Sequence, residues 1–276
     1  MELKVYKDIT AFYSDTKEFY LKEEVENNLP YGLLKRLMAE RGSEIPFMAA
    51  AIAAGGIRIA YLMTPPHNLI ITAAKGVRDE EILRSADLLL AENIELPGVI
   101  GEKEAARRFG EHWSKRTGRP LSLIMDQRIY VLEKLNSIKL PEGRLIEAGP
   151  AQRDLLYQWV KEFCSETGVL FEEERIREMI SRTVTFLWED ENGNPVSMAR
   201  EGRRTESGAV VTLVYTPKEL RSRGFAGAVV SGISGKILED RKYCCLYTDL
   251  SNPVSNGLYI KIGYRPVCDS VSLKFS

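Results

Sequence analysis

Lys218, Arg221 and Arg223 crowd one short turn, and Gly224, Ala226, Gly227 and Ala228 follow at once. Cations beside residues with almost no side-chain bulk suit one task, which is to hold an anion against bare backbone. Ala209 to Tyr215 (AVVTLVY), before the turn, reads as a buried strand, and the segment from about Gly224 to Leu238 reads as a helix. A strand entering a helix this way aims unpaired backbone N–H groups at one point, where the helix dipole adds roughly half a positive charge. The pattern is a phosphate cradle. Taken alone, Arg221-x-x-Gly224-x-Ala226 fits an ordinary structural turn as well.

The elements that must position this turn can be followed from Leu145. A strand there leads to a helix over Ala151 to Cys164, with Leu155, Leu156, Trp159, Val160 and Phe163 at helical spacing. A second helix spans about Glu172 to Arg182. The strand Thr183 to Trp188, a hairpin turn at Asn192-Gly193-Asn194-Pro195 and the strand Val196 to Gly202 come next. Beyond the cradle helix stand the strand Tyr243 to Thr248, a short helix from Pro253 to Ile262 and a last pair of strands to Phe275.

The first half repeats this order. Phe47 to Ala53, Ile57 to Met63 and Leu69 to Ala73 read as strands, and Asp79 to Glu92 as a helix. A strand at Val99 and Ile100, a helix from Glu102 to Arg116 and two strands within Leu121 to Leu132 complete the series. The spacing predicts a cryptic structural repeat, with a linker near Ser137 to Gly143 and domains over 1–140 and 141–276. Where the second half has Arg221 to Ala226, the first has Lys75-Gly76-Val77-Arg78-Asp79-Glu80. Carboxylates suit a free helix N-terminus but repel a phosphate, so the first half is expected to lack a cofactor.

About 25 residues past the cradle helix's start, the chain reads Asn252-x-x-Ser255-x-x-Leu258-Tyr259-x-x-x-Gly263-Tyr264. With the cradle, this resembles the GCN5-related N-acetyltransferase (GNAT) superfamily, strongly over roughly 143–276 and as a degenerate copy in the first half. The resemblance implies an α/β (α+β) chain of two GNAT-like domains, each a mixed, mostly antiparallel twisted sheet flanked by helices. In the C-terminal domain, parallel strands would splay apart around acetyl-CoA. Leu213, Val214 and Tyr215 would meet the pantetheine amides, and the backbone from Arg221 through Ser222, Arg223, Gly224, Phe225 and Ala226 to Gly227 would hold the pyrophosphate. Asn252, which also fits a helix cap before Pro253, would reach the cofactor arm. Tyr259 would be the general acid that protonates the departing thiolate, unless it is a core aromatic.

Many relatives carry a Glu on the strand before the cradle, but Ala209 to Tyr215 has no carboxylate. Asp249 is the nearest candidate base, with the Glu172-Glu173-Glu174 run and the C-terminal carboxylate after Ser276 as others. Acceptor pockets in the superfamily are built by the first helices and a late loop, here around Tyr157 to Arg182 and Arg265 to Ser272. The reaction implied is acetyl transfer to a primary amine of a small molecule or peptide. The alternatives are a CoA-binding regulatory module without turnover, and a tandem-domain acyl- or aminoacyltransferase with another donor.

Composition bounds these readings. The 276 residues are 44% hydrophobic, enough for one large domain or two ordinary ones. The formal net charge of -1 gives no general attraction to nucleic acid or to an anionic membrane, so no such partner is expected. Cys164, Cys244, Cys245 and Cys268 lack C-x-x-C spacing and read as reduced, buried thiols, with no metal expected. The apolar run from Phe47 to Met63 is broken by Gly55, Gly56 and Arg58, and the N-terminus has no apolar leader. A cytoplasmic monomer or homodimer is expected. His67 and His112 fall in the degenerate half and are given packing or surface roles.

Overall fold

The computed structural model describes residues 1–39 and 46–276. In chain order its elements are β1 (Glu2–Tyr6), α1 (Ile9–Leu21), α2 (Asn28–Ala39), β2 (Phe47–Ala53), β3 (Gly56–Met63), β4 (Leu69–Ala73), α3 (Asp79–Leu90), β5 (Gly98–Glu102), α4 (Lys103–Thr117) and β6 (Leu121–Leu132). There follow β7 (Arg144–Glu147), α5 (Arg153–Thr167), α6 (Glu173–Arg182), β8 (Thr185–Glu189), β9 (Pro195–Arg204), β10 (Gly208–Tyr215), α7 (Phe225–Leu238), β11 (Tyr243–Asp249), α8 (Pro253–Ile262) and β12 (Arg265–Phe275). No helix among the described residues is long and apolar enough to cross a membrane.

Contacts divide the chain into two units. The first comprises 1–129, 248–252 and 266–276, and the second 130–247 and 253–265. The sequence reading kept Pro266 to Ser276 with the second half. In the structure this segment is a strand of the first unit, where β12 pairs antiparallel with β5 from Ser270↔Glu102 to Lys274↔Gly98.

In the first unit the sheet order is β1-β2-β3-β4-β5-β12-β6. One face buries Tyr61, Phe109, Trp113, Leu273 and Phe275 against α3 and α4, and the other buries Phe12, Tyr20, Tyr31 and Leu62 under α1 and α2. The second unit is layered the same way. Its order is β11-β10-β9-β8-β7, with Phe186, Val211, Val229, Ile233 and Leu246 packed under α7, and Trp159, Ile180, Leu187, Met198 and Tyr215 under α5 and α6. In each unit one neighbouring pair runs parallel, β4 with β5 and β10 with β11, while β4 pairs antiparallel with β3 and β10 with β9. The expected α/β architecture is present in each unit, with mixed, mostly antiparallel strands flanked by helices.

The expected pairs of strands at the two ends are single strands. β6 runs unbroken through Asp126, whose carboxylate is held by Lys103 Nζ at 2.9 and 2.8 Å. β12 runs through Asp269, which accepts from Arg128 Nε at 2.6 Å and Nη2 at 3.0 Å. An ion pair lets a carboxylate sit on a strand where its type alone suggests a break. All four cysteines are free thiols, and Cys164, Cys244 and Cys245 are buried.

Candidate functional site

The second unit opens where β10 and β11 part. Their parallel register covers Gly208↔Tyr243, Ala209↔Cys244 and Val210↔Cys245 and then stops, although β10 continues to Tyr215 and β11 to Asp249. On its other edge β10 loses register with β9 between Thr212 and Tyr215, so Leu213 and Val214 sit in a bulge. Leu213 has φ 51°, the left-handed region that costs a non-glycine residue roughly 1–2 kcal/mol. Nothing in the sequence signals that conformation, because leucine rarely adopts it. The expected splay is present, and Leu213, Val214 and Tyr215 lie along it.

The turn after β10 has the backbone of an anion cradle. Pro217 leads into a single 3-10 turn over Lys218–Leu220, Ser222 has φ 62°, and Gly224 has φ 86° where it caps α7. The N–H groups of Leu220 and Arg221 are taken by Pro217 O and Lys218 O, and the next with a backbone acceptor is that of Ala228, which donates to Gly224 O at 3.0 Å. The N–H groups of Ser222, Arg223, Gly224, Phe225, Ala226 and Gly227 have no acceptor among the described residues. Alternating left-handed residues curl such groups into a concave nest for an anion.

The glycines here do different jobs. A Cβ on Gly224 would meet nothing closer than Pro141 Cδ at 3.5 Å, so this position needs glycine for its φ alone. A Cβ on Gly227 would stand 3.1 Å from Leu258 Cδ1, so its lack of bulk serves the approach of α7 to α8. Phe225 is buried with the Arg223 guanidinium 4.8 Å above its ring, and Ala226 is half-buried. Arg221 is engaged within the protein. Its Nε donates to Thr216 O at 2.9 Å, and its Nη2 to the two oxygens of Glu166 at 2.9 and 2.7 Å.

The sequence reading missed Glu162 and Glu166. The Tyr215 phenol donates to Glu162 Oε2 at 2.7 Å, and burial, followed by Glu162, pushes that phenol's pKa well up. The two carboxylates lie one helical turn apart on α5, the i, i+4 spacing that could have marked a shared face.

Tyr259 lies in the second turn of α8, buried between Tyr130 (centroids 6.4 Å apart) and Tyr264 (5.9 Å, edge-on). Burial alone pushes its phenol up to about 12. No protein group hydrogen-bonds its hydroxyl among the described residues, whereas the Tyr130 hydroxyl donates to Asn256 Oδ1 at 3.0 Å. Asp249 and Asn252 group with the first unit. Asp249 Oδ1 accepts from the backbone N and the hydroxyl of Ser251 at 2.7 and 2.6 Å, and Asn252, exposed before Pro253, donates its backbone N to Asp249 O at 3.1 Å. Glu172 and Glu173 pair with Arg175 and Arg177 on the exposed surface of α6.

The equivalent turn of the first unit is closed by its own acid. Glu81 Oε2 accepts the Arg78 backbone N–H at 3.1 Å at the start of α3, and its Oε1 accepts Arg58 Nε at 2.9 Å. Arg58 first, then the Arg78 N–H, hold Glu81 at about 2. A fixed carboxylate occupies the helix N-terminus that in the second unit is free.

A family model described as FR47-like protein matches residues 191–271, from the turn before β9 into β12. No curated protein sequence matches the chain. Among solved structures, a Drosophila protein superposes with a TM-score of 0.68 at 12% identity over 99% of this chain and 98% of that one. A GNAT-family acetyltransferase from Colwellia psychrerythraea gives 0.61 at 11% identity, covering 100% and 99%. A tandem GNAT protein from the clavulanic acid biosynthesis pathway gives 0.56 at 9%, covering 100% and 98%. The chain therefore has the fold of the GNAT proteins, and it matches the tandem GNAT protein over nearly the whole length of both.

Proposed function

We propose that the chain is an acetyl-CoA-dependent N-acetyltransferase acting on a primary amine, with its donor site in the second unit. The observation that carries this is the splay of β10 from β11 followed at once by the acceptor-free N–H groups from Ser222 to Gly227. An unpaired strand edge suits the two amides of a pantetheine arm, and the N–H nest suits the pyrophosphate beyond it. Among the described residues Arg223 is the cation of this turn without a carboxylate ion pair, while Lys218 and Arg221 both reach Glu166.

In the reaction the acceptor nitrogen bonds to the thioester carbonyl carbon, and the C–S bond breaks with its electron pair on sulfur. The backbone N–H at Val214 polarises the carbonyl as charge grows on its oxygen. Tyr259 gives its phenolic proton to the thiolate and regains one from the amine through solvent. The buried phenol at about 12 is protonated at every working pH, so the acid is always loaded. β10 carries no carboxylate and Asp249 is engaged by Ser251, so the nucleophile is the neutral fraction of the acceptor amine.

Calorimetry and thermal unfolding with acetyl-CoA test the donor site. A concentration 100 times Kd stabilises the fold by about 2.7 kcal/mol. Neither heat nor stabilisation at millimolar acetyl-CoA would sink the proposal. Thiol release across polyamines, aminoglycosides, amino acids and peptide N-termini then finds the acceptor.

A further inference from the structure

Arg200 is a cation without a counter-charge among the described residues. It stands on β9 opposite Thr212 of β10 and opposite Thr185 of β8, so its side chain shares the face on which Leu187, Met198 and Tyr215 pack beneath α5 and α6. Its Nη1 donates to Thr183 Oγ1 at 3.2 Å, just past the end of α6, and Thr183 Oγ1 donates in turn to Met179 O at 2.7 Å. Its Nε is enclosed with no acceptor. Among the described residues no carboxylate reaches ion-pair distance of this guanidinium, and the charge nearest in effect is another cation, Arg203, on the same strand. Burial first, and Arg203 second, make Arg200 easier to deprotonate than an ordinary arginine.

A partly buried guanidinium with no anion beside it is costly, and one helix C-terminus offers only roughly half a negative charge in return. The position matters as much as the imbalance. Thr212, its cross-strand partner, immediately precedes the Leu213 bulge, and adjacent strands lie about 4.8 Å apart. An anion on Arg200 would therefore sit within one small molecule's length of a nucleophile at that bulge.

We infer that the acceptor is an amine that also carries a carboxylate, and that Arg200 binds this carboxylate on the α5–α6 side of the splay. The inference rests on the acetyltransferase reading for the identity of the amine, but the anion preference can be read by itself. Thr183 already holds Nη1, so the carboxylate meets the guanidinium through Nη2, the planar group that recognises carboxylates better than lysine does. Thr183 fixes the orientation of the group and is a positioning residue.

N-acetylalanine and N-acetylalaninamide differ only in the carboxylate and mimic the product end of the acceptor. Titrated calorimetrically into the full chain, without coenzyme, the acid should bind at least about tenfold more tightly than the amide, the range of one hydrogen-bonded charge. Arg200→Gln should remove that preference while leaving the amide and acetyl-CoA unaffected, and Arg200→Lys should keep part of it. The lysine variant and the unfolding temperature of each protein separate lost recognition from lost fold. Equal binding of acid and amide, no binding of either, or a preference that survives Arg200→Gln overturns the inference. Failure of acetyl-CoA to bind overturns the acetyltransferase reading instead, whatever the carboxylate result.

Discussion

The Tyr215 phenol and the Glu162 carboxylate meet at 2.7 Å, which ties the last residue of β10 to α5. The strand that parts from β11 is thus anchored at its free end by a helix from the opposite face of the sheet. Without such an anchor, a strand that has left one neighbour and lost register with the other has little to fix its direction. Tyr215 also rests 6.3 Å from Trp159 and beneath the Arg221 guanidinium, so one side chain joins α5, β10 and the cradle.

Tyr215→Phe and Glu162→Gln should each destabilise the fold by about 1 kcal/mol, as expected for a half-exposed hydrogen bond to a charged group. The two losses should not add in the double variant, since they remove the same contact. Chemical denaturation of the four proteins measures this. Full additivity would show that the contact is not formed in solution.

Tyr259→Phe should cut turnover by about 10²-fold to 10⁴-fold, the usual contribution of a positioned acid, with acetyl-CoA affinity unchanged. In the wild type the phenol at about 12 loses no proton in the assay range. The rate should therefore rise with pH as the acceptor amine is deprotonated, with no descending limb below about pH 10. A fall in rate at mildly alkaline pH would remove Tyr259 as the proton donor.

Gly224→Ala and Gly227→Ala should fail differently. The first forces a Cβ into φ 86° with open space around it, costing about 1 kcal/mol and turning the N–H nest, so acetyl-CoA binding should weaken. The second pushes on Leu258, the residue before Tyr259, so turnover should suffer more than binding. Paired calorimetry and kinetics decide, and identical profiles for the two variants would refute the distinction.

Glu26 should make stability fall as pH rises. Burial first, then the Glu23 carboxylate, raise Glu26 to about 7, while Lys75, which reaches Glu23 at 2.6 Å, stands 3.9 Å from Glu26. A folded-state pKa above the unfolded value means that the native chain holds the proton longer. Its stabilisation is complete below the ordinary glutamate range and is lost as pH climbs through about 7. Glu26→Gln should flatten the stability profile across that interval, as followed by urea unfolding, and an unchanged slope would contradict the assignment.

The elements that carry the proposed donor site were readable in the sequence because they are local. β10, the Arg221 to Gly227 turn and α8 from Pro253 to Ile262 fall where spacing puts them, since a strand-to-turn-to-helix junction is written in adjacent residues. Tyr259 was singled out through a second short motif, Asn252 to Tyr264. Glu162, Arg200 and the bulge at Leu213 were not, because each depends on a neighbour from another element. A glutamate on an amphipathic helix reads as solvated until the strand beneath it is known.

By itself, the sequence determined most of the strands and helices from Phe47 onward and which turn could hold an anion, through periodicity, small residues and charge. The tertiary structure alone decided where those segments go. Val271 and Leu273 carry no mark in their order that β12 will pair with β5, about 170 residues earlier, because strand pairing uses backbone groups that every residue has. The same holds for Arg200. Its type announces a charge, but only the packing of α6 over β9 and β10 leaves that charge partly buried with no carboxylate beside it among the described residues.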